Sequence, residues 1–199
     1  MPLLLPFIII LIVLLSYKIK KSDEQYAKRM DAFWEREHAA NLTRKQDIEH
    51  LDYITIPLKD LPFLENPAEN IAKCQNTIEE LSKKRILNLT GISNTDLKLN
   101  YGAANLNLLS EYDANFSKLS TTLHKWGMYL HEAGYEKEAV AVYEYAVSIH
   151  VDISKIYYYL AEYYKSVSPS SIPALIESAS ALNSIMKDSI INKLKTYLD

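Results

Sequence analysis

Two histidines, His124 and His131, stand seven residues apart in a stretch with helical apolar spacing. Seven residues is close to two helical turns, so both imidazoles fall on one face. Imidazoles so placed can ligate a metal or pass a proton. His131-Glu132 also begins like a zinc-protease helix, whose second histidine would stand where Tyr135 is. A metal would need at least two more ligands, and no such set is apparent at matching spacing. The single cysteine, Cys74, excludes an internal disulfide and a Cys-rich zinc site. It shares an apolar stripe with Ile71, Ile78 and Leu81, where a buried structural thiol is expected. Phosphate-binding glycine loop, dinucleotide fingerprint and nucleophile elbow are all missing from the sequence. The expectation is a chain with no cofactor, no metal and no enzymatic activity of its own.

Composition constrains the elements that carry these side chains. The chain has 199 residues, a net charge of −3 and no basic face of the kind nucleic acids require. Four glycines and long runs of Glu, Lys, Leu and Ala favour an all-α protein. Residues 3–17, LLLPFIIILIVLLSY, carry no charge, and Lys18, Lys20 and Lys21 follow at once. The run lies near the lower length that spans a bilayer, and flanking lysines can snorkel to the headgroups. No basic side chain precedes it and Ser16-Tyr17-Lys18 is a poor cleavage site, so an anchor is expected rather than a signal peptide. The expectation is a single transmembrane anchor over 1–21, in contact with the lipid bilayer. Its lysine flank places the C-terminal domain on the cytoplasmic side of the cell membrane.

A helical, charged stalk is expected over 22–50, with Tyr26, Met30, Phe33 and Trp34 as its apolar stripe and a local break near Lys21 or Ser22. Residues 51–65, LDYITIPLKDLPFLE, contain Pro57 and Pro62, which bar a central strand. They read as an extended connector anchored by Ile54, Ile56, Leu58 and Phe63. A helical domain is expected over 66–199. Its first helix would be capped by Asn66 and Glu69 around Pro67, and would run to near Leu89 before Gly91. Glu79–Lys83 and Glu80–Lys84 would support the outer face of that helix. A short helix after Asn94 or Thr95 precedes a long one over about 111–132, striped by Tyr112, Phe116, Leu119, Leu123, Trp126 and Leu130. Ser171 is expected to cap a later helix striped by Ile172, Leu175, Ile176, Ala179 and Leu182. A closing helix over 188–198 would turn Ile190, Ile191, Leu194 and Leu198 inward.

Within WGMYLHEAGYEKEAVAVYEYAVSIH, residues 126–150, two of the four glycines stand seven apart. Gly134 suits a helix C-cap that needs a left-handed residue. Gly127 lies mid-helix, at a cost of roughly 1 kcal/mol against alanine, which predicts close approach of a partner helix. Ala139 is the expected facing residue, with Tyr143 and Ala146 further along.

This spacing resembles the tetratricopeptide repeat, 34 residues in two helices. One unit aligns over 120–153. Trp126, Gly127 and Leu130 take the first-helix places, and Ala139, Tyr143 and Ala146 those of the second. Leu123 and Val151 replace the usual tryptophan and proline. A second unit over 154–187 aligns through Leu160, Ala161 and Tyr164, and departs where Pro173 takes the alanine place. The layout as a whole resembles bacterial proteins that join one N-terminal membrane anchor to a small tetratricopeptide-like domain. The resemblance implies a concave groove lined by His124, Met128 and His131 from the first unit, with Tyr158, Tyr159, Glu162 and Lys165 from the second. Such a surface suits a peptide or helix of a protein partner. It lacks the lysine and asparagines of the chaperone-tail clamp, whose places are held by His124, Met128 and Tyr159. The implied role is an adaptor. The alternatives are an enzyme or enzyme subunit using the His124/His131 face, and an outward-facing adaptor in envelope assembly.

Overall fold

The computed structural model describes residues 4–198, and every regular element in that range is helical. The helices are α1 (Leu4–Leu42), α2 (Glu69–Leu81), α3 (Asn94–Tyr101), α4 (Leu106–Glu132), α5 (Glu136–Ser148), α6 (Ser154–Val167), α7 (Ile172–Ser180) and α8 (Lys187–Lys195). Short 3-10 turns at Ala103–Asn105 and Pro169–Ser171 lead into α4 and α7. The chain forms two compact units. One joins the described residues up to Gln46 with Ser93–Leu106, and the other joins Asp47–Ile92 with Asn107 onward.

In the first unit α1 is one continuous helix of 39 residues, with no break near Lys21 or Ser22. No proline or glycine interrupts it after Pro6, so nothing in the backbone stops it. Its early side chains Phe7 and Ile9 to Leu15 are all at least half exposed. Among the described residues no helix is long and apolar enough to cross a membrane. Residues 1–3 of the expected anchor lie outside the described residues. The apolar stretch from Leu4 to Leu15 is about 18 Å long at helical rise, against a hydrocarbon core of about 30 Å. A transmembrane helix over 1–21 is therefore not supported by the described residues. The aromatic stripe expected for the stalk is not buried either: Tyr26, Phe33 and Trp34 stand exposed, and Phe33 packs edge-on against Trp34 at 5.3 Å.

The last turns of α1 pack on α3. Ser93 caps α3 by accepting a hydrogen bond from the Asp96 amide at 3.2 Å. Lys98, almost buried, donates to the Glu37 carboxylate and to Asn41 Oδ1 at 2.8 Å. Thr95 donates to the other Glu37 oxygen at 2.7 Å, and Arg36 pairs with Asp96. The hydrogen bonds and Lys98 together hold the Glu37 carboxyl below its ordinary range.

The second unit holds the main core. Residues 51–65 form no regular element: Ile56 and Leu61 are buried, and Ile54, Leu58 and Phe63 pack half-buried on the core. Phe63 meets Trp126 edge-to-face at 5.2 Å. The helix expected to reach Leu89 stops at Leu81 instead. Its stripe of Ile71, Cys74, Ile78 and Leu81 would continue through Lys84 and Arg85, which one more turn would drive into the core. The chain turns extended and buries Ile86, Leu87 and Leu89. Its backbone is paired through Ile54 N–H to Ile86 O at 3.0 Å and Leu87 N–H to Tyr112 O at 3.3 Å. Lys83 and Lys84 thus leave the helix, and Glu80 instead lies 3.9 Å from Lys118. At the other end α2 starts at Glu69 behind Ala68, with no side-chain cap from Asn66.

Helix α4 buries Tyr112, Phe116, Leu119, Leu123, Trp126 and Leu130 on one face. Just past its last residue, Glu132, stands Gly134, φ +84°, where Tyr135 N–H bonds Leu130 O and Gly134 N–H bonds His131 O, both at 2.9 Å. Those two bonds satisfy carbonyls that the helix end leaves open. Helix α5 ends the same way through Val151 N–H to Ala146 O and His150 N–H to Val147 O, with His150 itself left-handed at φ 60°. Helix α6 packs against α5, α7 and α8 and buries Ile156, Tyr157, Leu160 and Ala161. Ser171 makes no cap to the α7 backbone; its hydroxyl lies 3.0 Å from that of Ser168. Ile190 and Leu194 of α8 face inward, whereas Leu198, beyond the helix end, is exposed.

Candidate functional site

The histidine face is built where α4, α5 and α6 meet. The end of α4 carries His131, the first turn of α5 carries Glu136, and α6 carries Tyr159. His131 Nδ1 lies 2.6 Å from Glu136 Oε2, and the Tyr159 hydroxyl donates to Glu136 Oε1 at 2.6 Å. The Tyr159 ring meets His131 and Tyr143 edge-on, at 5.1 and 4.9 Å. The Tyr159 hydroxyl and the His131 imidazole hold the Glu136 carboxyl below its ordinary range. Burial and the Glu136 carboxylate push the Tyr159 phenol upward.

Two turns earlier on α4, His124 stacks on the Tyr143 ring at 6.3 Å, and its own carbonyl accepts the Tyr143 hydroxyl at 3.2 Å. His124 is half-buried, and its Nδ1 has no hydrogen-bond partner. Burial, followed by the charge of Lys155, depresses its pKa. Burial and the nearby Glu132 push Tyr143 up to about 12. Gly127 lies under this group. A Cβ there would stand 2.3 Å from the Tyr143 ring, so Tyr143 and not Ala139 takes up the space that glycine leaves. Ala139 and Ala146 are fully buried elsewhere in the core.

The other predicted groove residues divide between two places. Met128 is half-buried on α4, between the two histidines in sequence. Glu162 turns toward the residues that follow α8, where the Tyr197 hydroxyl donates to it at 3.2 Å, and Tyr158 packs half-buried on the core. Lys165 is exposed near the end of α6, and Tyr164 donates to Glu144 at 2.6 Å. Of the α6 set, Tyr159 joins the histidine cluster, through His131 and Glu136.

Chemically the cluster orients an imidazole against a carboxylate. Among the described residues the Tyr159 phenol, at 3.3 Å, is the one hydroxyl or thiol hydrogen-bonded to that imidazole. Among the described residues no group of three or more His, Cys, Asp and Glu side chains is placed to hold a metal.

A separate hollow, about 930 Å³, opens between α2 and α4. Asn70, Lys73, Cys74 and Thr77 line it from α2, and Ser117, Lys118, Thr121, Lys125 and Tyr129 from α4. The sequence signal for it was the ridge at positions 117, 118, 121, 125 and 129, one polar face of a long helix. Without knowledge of which helix lies alongside, such a ridge reads as plain solvated surface. Comparison with known protein families, curated proteins and solved structures finds no match to this chain.

Proposed function

We propose that this chain is a membrane-attached helical adaptor that recruits a protein partner and carries out no chemistry itself. The observation that supports this most directly is the first part of α1, where Phe7 and Ile9 to Leu15 have no protein cover. Exposed apolar patches of that extent mark a membrane or partner surface. Lys18, Lys20 and Lys21 form a basic collar at its end, suited to anionic headgroups on the cytoplasmic side. In this proposal residues 1–21 form a single-pass anchor, with residues 1–3 completing the apolar run and the lysines snorkelling. The helix pairs over 120–153 and 154–187 act as tetratricopeptide-like units. The face around His124, Met128, His131 and Tyr159 offers aromatic and thioether groups to a partner peptide.

Alkaline carbonate extraction of native membranes tests the attachment: the full chain should stay with the pellet. Release into the supernatant would remove the anchor from the proposal. Impermeant thiol labelling of intact cells, at cysteines introduced on α8 in a Cys74→Ser background, tests orientation. Protection before lysis supports the inward arrangement, and labelling before lysis supports an outward-facing adaptor.

The His131–Glu136–Tyr159 cluster favours a second reading, in which the chain is an enzyme or enzyme subunit. Stoichiometric tight metal in the purified full chain, lost on His131→Ala, would favour this reading over the adaptor.

A further inference from the structure

We propose that the hollow between α2 and α4 is a docking groove for an acidic, extended peptide segment of a partner protein. The groove lies apart from the histidine face and reaches beyond the adaptor proposal by stating the partner's chemistry. Its lining carries Lys73, Lys118 and Lys125 against the single carboxylate of Glu69, in a chain whose net charge is −3. Lys73 is paired with Glu69 at 2.6 Å and Lys118 lies 3.9 Å from Glu80. Lys125 makes no ion pair among the described residues. Its charge reaches the floor of the groove, where it acts on the buried Cys74 thiol against the effect of burial.

Size and spacing define the occupant further. A volume of about 930 Å³ lies at the upper end of ordinary ligand pockets. The groove is long rather than round, because its α4 wall runs from Ser117 to Tyr129, about 18 Å at helical rise. Lys118 and Lys125 are two turns apart, about 10 Å along that wall. In a peptide extended as polyproline II, with three residues per turn, residues three apart share one face and lie about 9 Å apart. Carboxylates at every third position would therefore meet the two ammonium groups in register. Beside the lysines, Ser117 and Thr121 present hydroxyls that form no hydrogen bond among the described residues, one turn apart on the same wall. They can serve the peptide backbone, while the floor at buried Cys74 and half-buried Thr77 takes small side chains. The first turn of α2 opens onto the same rim and adds the positive end of its dipole.

The test uses the full chain in lipid nanodiscs and fluorescence anisotropy with a labelled synthetic peptide. The peptide has glutamate at every third position, with valine and threonine between. The comparison peptide replaces each glutamate by glutamine. The expected result is saturable binding that weakens with salt, about ten-fold weaker for the glutamine peptide. Lys125→Ala and Lys118→Ala should each weaken the glutamate peptide several-fold, whereas Lys137→Ala on α5 should leave it unchanged. All three lysines are exposed, so folding should survive, and circular dichroism checks this. Absence of saturable binding, equal binding of both peptides, or an equal loss on Lys137→Ala would overturn the proposal. His131→Ala leaves this groove intact, so failure here and failure of the histidine face are read separately.

Discussion

Gly127 shows how much one missing methyl can decide. The Tyr143 ring lies where its Cβ would be, and that ring is buried and tied by its hydroxyl to the His124 carbonyl. Gly127→Ala gains helix propensity worth roughly 1 kcal/mol, yet must displace a pinned ring, an overpacking cost of about 1–3 kcal/mol. The expected outcome in urea denaturation is net destabilisation. Tyr143→Leu in the same chain should recover part of it; a more stable Gly127→Ala protein would refute the contact. His150 is the converse case, a non-glycine residue at φ 60° in a left-handed helix end. His150→Gly should stabilise by about 1 kcal/mol, read as a raised unfolding midpoint. His124 contributes a pH effect of definite sign. Its folded pKa lies below the unfolded value of about 6.5, so the unfolded chain binds the extra proton first. The stability it allows is complete above that value and is lost as pH falls toward the folded pKa. The carboxylates Glu37, Glu49, Asp96 and Glu136 have pKa values lowered from below 5, so their losses fall in a more acid range. The melting temperature should therefore fall between about pH 7 and pH 5, and His124→Gln should flatten that fall.

At the scale of elements, the pairing of α1 with α3 rests on a polar clamp rather than on an apolar interface. Leu97 is buried there, but the specific contacts are Lys98 with Glu37 and Asn41, Thr95 with Glu37, and Arg36 with Asp96. Removing a single partner from a nearly buried ion pair leaves the other charge without compensation. Lys98→Ala should thus raise amide exchange across α3 and the last turns of α1. Protection in α4 to α8, within the other compact unit, should stay unchanged. If exchange rises uniformly along the chain, the two units do not unfold separately.

For the molecule as a whole, the contrast lies between a well-buried helical core and a first helix whose apolar side chains are bare. Deleting residues 1–17 should abolish membrane association and the need for detergent. The helical thermal transition of the remainder should survive, because the side chains of Phe7 and Ile9 to Leu15 are exposed. Loss of that transition on deletion would mean that the segment folds the protein rather than attaching it.

Periodicity by itself determined the helical class, the stripe from Tyr112 to Leu130 on α4, the end of that helix just before Gly134, the short α3 and the irregular connector with Ile56 at its centre. Each is a local matter: side chains repeating at 3.6 residues, a glycine free to go left-handed, prolines that cannot join a ladder. Tertiary structure decided the remainder. Helix α2 stops at Leu81 because Lys84 and Arg85 cannot enter the core. Ile86 to Leu89 run extended because Ile54 and Tyr112 pair their backbone. Of the predicted groove, Tyr159 joined His131 through Glu136, which no spacing pattern singled out, while Glu162 turned to Tyr197 just beyond α8. The lysine-rimmed hollow was invisible for the same reason. Its two walls are more than thirty residues apart in the sequence, and only packing brings them face to face.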